Sequence, residues 1–129
     1  MPYVPFKKGT LLIPYNNINH LFVIVTGKCG NGQHLIVNFT TVRPNIAHDP
    51  ACIVEAGDHP FIKAQSYALY RSADIQDADR LTKMVGLQYY KPQNDASDAL
   101  LIKMRAGIRG SQYTPRRIIN YFADHGEAA

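Results

Sequence analysis

The sequence predicts an α+β fold, a small antiparallel barrel or sheet with amphipathic helices packed against it. Strand-like apolar runs fill residues 9–71, and helical spacing of apolar residues takes over from residue 72. Repeats and low-complexity segments are absent from the sequence. At 129 residues the chain reads as one domain, long enough to bury a core without disulfides or structural metal.

The strands follow in order. Residues 10–13 form a short apolar run between Gly9 and Pro14, and residues 21–26, LFVIVT, are β-branched and aromatic. GKCGNGQ then reads as a Gly-rich hairpin loop leading into residues 34–40, HLIVNFT, so an antiparallel hairpin is the simplest pairing. Alternation puts Leu35, Val37 and Phe39 on a core face. His34, Ile36, Asn38 and Thr40 fall on the other, which is expected to be mixed and partly open. Residues 41–50, with two prolines, are too long for a tight turn, and such loops carry function disproportionately. Further strands are expected at 52–55 and 66–70, on either side of Asp58-His59-Pro60.

The period then changes. Ile75, Ala78, Leu81, Met84 and Val85 recur at helical spacing and predict a helix over 72–86, capped by Ser72 or Asp74 and ended by Gly86. Residues 87–90, LQYY, read as a last strand and KPQND as a linker. Leu100, Leu101, Met104 and Ile108 make the apolar stripe of a helix over 97–109. A final helix over 114–125 has Thr114 as N-cap, Pro115 at its first position, and Ile118, Ile119 and Phe122 on its buried side.

Fourteen Lys and Arg against ten Asp and Glu give a formal charge of +4, which favours a polyanionic partner without establishing one. The apolar share is 46%, yet no run approaches the roughly 20 residues that span a bilayer, so no membrane partner is expected. The start lacks the apolar stretch of a signal peptide, and the expected location is the cytoplasm. Cys29 and Cys52 have neither CxxC spacing nor scaffold density and read as reduced and structural.

Four features together, KKGTLLIP, NHLFVIV, the Gly-rich hairpin and LIVNFTT, resemble the MazF/PemK-like toxins of toxin-antitoxin systems, over roughly residues 5–109. SDALLIKMRAGI looks like that family's terminal helix. The resemblance implies a compact SH3-like barrel with a C-terminal helix, single-stranded RNA as substrate, metal-independent endoribonuclease activity in many members, an antitoxin partner and a homodimer. Thr40 stands where the family places a hydroxyl at the strand end. The family's Arg-Pro before the second strand is replaced by His20-Leu21, and the segments around 75–85 and after 114 depart from its minimal pattern.

Cleavage of RNA by its own 2′-hydroxyl needs a base, an acid for the leaving oxygen, and a group that stabilises the phosphorane. Histidine, with a reference pKa near 6.5, suits the first two; Arg or a hydroxyl suits the third. The catalytic candidates are therefore His20 as acid or base, Thr40 on a phosphate oxygen, and Arg43 supplying the charge that the missing family arginine would carry. The bland alternative for His20 is a turn residue bonded to the backbone of residues 16–19. His34, Asn38, His59, Tyr67, Arg71, Arg116 and Arg117 are the RNA-binding candidates, since bases stack on tyrosine and phosphates meet cations. Asp58-His59-Pro60 reads as a turn, with His59 at the rim of a groove. His48-Asp49 and Asp58-His59 match no metal-ligand spacing, and neither metal nor cofactor is expected. The rival function is a non-catalytic SH3-like module that binds protein or nucleic acid.

Overall fold

The computed structural model describes residues 2–129. Its strands are β1 (Thr10–Tyr15), β2 (Ile18–Ile24), β3 (Gln33–Thr41), β4 (Ile53–Val54), β5 (Ser66–Ala68), β6 (Asp74–Asp77) and β7 (Lys91–Gln93). The helices are α1 (Ala78–Gly86), α2 (Asp98–Gly110) and α3 (Arg116–His125). All strand pairs are antiparallel, in the order β4-β5-β3-β2-β1-β7 with β6 also on β3. The fold is α+β. Among the described residues β4 and β7, at the two ends of the path, do not pair with each other, so the sheet does not close into a barrel.

β1 and β2 are joined by Asn16 and Asn17, both at positive φ (52° and 63°), as a two-residue hairpin turn with the twist of its strands requires. Residues 16–19 are therefore not a loop, and His20 lies inside β2, paired with Ile13. β3 is the organising strand. One side pairs with β2; on the other, residues 33–36 take β6 and residues 39–41 take β5.

That arrangement corrects the helix expected from residue 72. Tyr70–Ser72 is a turn of 3₁₀ helix and Asp74–Asp77 is strand, because β3 offers an unpaired edge that β5 does not reach. The helix begins only at Ala78. Residues 87–90 likewise form a turn, with Gln88 at φ 65°, and the strand is β7, in the expected linker, pairing with β1. Thr114 does not cap α3: its hydroxyl donates to the Ile108 carbonyl at 2.7 Å, tying α3 to the end of α2. Ser97 does cap α2, accepting from the Leu100 amide at 3.1 Å.

Each face of the sheet has its own apolar cluster. Leu21, Val23, Leu35, Val37 and Phe39 pack under α2 and α3, whose Leu100, Leu101, Met104, Ile108, Ile118 and Phe122 complete the larger core. Cys29 and Cys52 are free thiols buried in it. Gly107 lets α2 approach Tyr70, since a Cβ there would overlap the tyrosine hydroxyl, which donates to the Met104 carbonyl at 2.7 Å. On the opposite face Leu11, Ile24 and Ile36 meet Leu81 of α1, with Val85 and Phe22 against them. The face expected to be partly open is thus closed at one end: His34, Ile36 and Asn38 are 1%, 3% and 5% exposed. The other end of that face stays open.

Candidate functional site

The open end is built by strand register. Ile13 pairs with His20, and Thr40 pairs with Tyr67; continuing the β2–β3 register two residues past Phe22–Asn38 sets His20 opposite Thr40. These positions project from the same face, since side chains two apart on a strand share a side. His20 and Thr40 then line two adjoining cavities.

The first cavity, of about 230 Å³, brings together His20, Thr40 and Arg43, the three catalytic candidates, with Phe61 and Lys63. The second, of about 610 Å³, adds Tyr15, Phe22, Asn38, Arg71 and Arg117 to His20 and Thr40. A third hollow of about 150 Å³ continues from Arg71 past Tyr67 to His48 and Tyr113, where the His48 and Tyr67 rings lie 5.3 Å apart. The second shares His20 and Thr40 with the first and Leu69 and Arg71 with the third, and so joins the three in series as a groove.

The groove carries positive charge. Among the described residues the ion pairs are Lys8–Asp98, Arg105–Glu127 and Arg117–Asp74, which leaves Arg43, Lys63 and Arg71 without a carboxylate partner. Arg117 is held at its rim, 3.4 Å from Asp74 Oδ1 and from the Ala73 carbonyl. Asp49, the other acid beside the groove, is buried and accepts from Ser111 Oγ and the Ala51 amide. Among the described residues five buried side-chain polar atoms have no partner, and the one that belongs to a groove-lining residue is Asn38 Oδ1. Such an orphaned acceptor costs about 1–3 kcal/mol until a donor reaches it.

Of the RNA-binding candidates, Asn38, Tyr67, Arg71 and Arg117 line the groove. His34 does not: it is enclosed, its ring Nδ1 is 3.0 Å from the Thr26 carbonyl, and burial lowers its pKa. His59 is not at a rim either. It is 2% exposed, its Nδ1 accepts from the Phe61 amide at 3.0 Å, and its Nε2 therefore carries the proton donated to the Asn94 carbonyl at 2.7 Å. Asp58 accepts from the Glu55 amide at 2.8 Å and Gly57 takes φ 93°, so the stretch is a fastened turn. Arg116 is exposed on α3 and lines none of the three hollows. Among the described residues no group of three His, Cys, Asp or Glu is placed to hold a metal ion. No helix among them is long and apolar enough to cross a membrane.

Sequence reasoning missed Lys63 and Phe61 as groove residues. No local signal could have found them, because the turn that carries them is anchored by His59 on Asn94, 35 residues away. Tyr15 was missed because the hairpin turn that positions it beside His20, ring centroids 6.3 Å apart, was read as a loop. No family model matches the chain, and no curated protein matches it.

Proposed function

We propose that the chain is a MazF/PemK-like domain that binds single-stranded RNA along this groove and cleaves it without metal. The observation that carries the reading is the shared cavity of His20, Thr40 and Arg43. His20 takes the proton from the 2′-hydroxyl as O2′ attacks phosphorus. The P–O5′ bond then breaks, and the imidazole returns the proton to the leaving oxygen. Thr40 donates to a phosphorane oxygen and Arg43 offsets its charge. The products are a 2′,3′-cyclic phosphate and a 5′-hydroxyl. The SH3-like component is supported by β3, a single strand serving β2 on one side and both β5 and β6 on the other. A homodimer, a neutralising antitoxin and a cytoplasmic location belong to the same reading.

The test is incubation of the purified chain with varied single-stranded RNAs in excess EDTA. Cleavage that leaves cyclic phosphate ends and is lost in a folded His20→Ala variant is the expected result; cleavage unchanged in that variant sinks the mechanism. A specific observation favours a non-catalytic, nucleic-acid-binding module as the second reading. His20 is the sole imidazole or carboxylate residue lining the first cavity, so a separate acid and base are not both present there. RNA retained but never cut, with no slowing of host growth on expression, is the outcome that module requires.

A further inference from the structure

The largest hollow holds more than a phosphate needs. At about 610 Å³ it falls within the ~300–1,000 Å³ typical of small-molecule sites, and its walls are of two kinds. Ile13, Phe22 and Leu69 are apolar, with Tyr15 beside them, surfaces on which the flat face of a base gains contact. Asn38 is polar, 5% exposed, and its Oδ1 has no donor. Arg71, at the same hollow, has no carboxylate partner among the described residues.

We infer that this hollow receives one unpaired nucleobase, whose hydrogen-bonding edge meets the Asn38 carboxamide while its phosphate lies on Arg71; the inference rests on the RNA-binding reading above. A carboxamide presents an acceptor next to a donor. Its complement, an N–H next to an acceptor, lies on the pairing edge of every base: an amino group beside a ring nitrogen in adenine and cytosine, a ring N–H beside a carbonyl in guanine and uracil. Asn38 can therefore meet the pairing edge of any unpaired base without fixing which base it is, whereas of the paired bases only adenine offers it the same pattern, at N6 and N7. Because His20 and Thr40 line this hollow and the cleavage cavity alike, the base held here adjoins the scissile phosphate. The same chemistry is offered by a nucleotide within a strand and by a free mononucleotide.

The experiment titrates the full chain with the four nucleoside 5′-monophosphates and with ribose 5-phosphate, following the Asn38 side-chain amide by NMR. A parallel arm measures binding and cleavage of a single-stranded oligoribonucleotide and of its duplex. Nucleotides should bind about tenfold more tightly than ribose 5-phosphate, the worth of one uncharged hydrogen bond to a buried group. Asn38→Leu should weaken nucleotide binding several-fold and leave ribose 5-phosphate unchanged, and Arg71→Ala should weaken both ligands. The duplex should bind more weakly than the single strand of the same sequence. Equal affinity for nucleotide and ribose 5-phosphate overturns the inference, as does unchanged nucleotide binding in a folded Asn38→Leu variant. Were that variant to misfold, the wild-type comparison of the two ligands still decides. Nucleotide binding with no cleavage of the oligoribonucleotide removes the nuclease mechanism and keeps the base site; cleavage with no nucleotide preference does the reverse.

Discussion

The fastened turn at Asp58-His59-Pro60 and the open face at His20 use the same side chain for opposite ends. In the turn, a carboxylate and an imidazole adjacent in sequence look like acid-base machinery, but both ring nitrogens and one carboxylate oxygen are committed to the backbone. His59 bonds at both ring nitrogens, and the Asn94 carbonyl that accepts from it also accepts from Thr10 Oγ1 at 2.6 Å, so one carbonyl joins the turn to the start of β1. On the open face His20 has no acidic neighbour in the sequence, yet it faces two cavities with a hydroxyl and several free cations around them. A histidine's chemistry is set by what its nitrogens are committed to, more than by the residue beside it.

That contrast is most sharply broken or kept by His20→Ala. Cleavage should fall about 10²–10⁴-fold, the usual worth of a positioned acid-base group, while the melting temperature stays within about 2 °C of the parent. A large thermal loss would move His20 into the structural class. His59→Ala should behave in the opposite way. Deleting a buried ring with one long-range and one local hydrogen bond should cost about 2–4 kcal/mol, roughly 10 °C in a thermal melt; a melt that does not move would mean the turn is not fastened as described.

A smaller effect concerns His34, enclosed like His59. Burial, with a lesser contribution from Lys28, lowers its pKa, against the opposing hydrogen bond to the Thr26 carbonyl. The folded state then binds fewer protons than the unfolded state below the ordinary value of 6.5, so stability is complete above that pH and declines as pH falls below it. Urea unfolding at about pH 7.5 and 5.5 should show this decline in the parent and less of it in His34→Gln. Equal declines would assign the pH dependence to other groups. The smallest expected change is in Arg71→Ala, where the slope of log affinity for single-stranded RNA against log salt should drop by about 0.7, one phosphate contact. An unchanged slope would leave Arg71 outside the RNA path.

Much of the fold was legible in local patterns. The stripe on α2 was readable because helical period and burial coincide there: Leu100, Leu101, Met104 and Ile108 are all under 10% exposed. The alternation of β3 was equally clear, with Leu35, Val37 and Phe39 in one cluster and Ile36 in the other. What misled was competition at a distance. Asp74–Asp77 carries residues that fit a helix, but the edge of β3, some forty residues earlier, claims them as strand. Within the site, His20, Thr40 and Arg43 could be named from chemistry and strand position, whereas Lys63 and Phe61 reach the groove through a turn whose anchor is Asn94.

Local period and composition were enough for the β-branched run of β2, the alternation of β3, the helix stripes and the positive balance. Tertiary structure decided that α1 covers only one end of the second sheet face. Where Leu81 lies against Ile36 that face is core; beyond it, past the buried Asn38 in the hollow's wall, His20 and Thr40 border open space. The same alternating strand yields both outcomes because burial depends on what packs over a residue, and no local pattern encodes how far a distant helix reaches.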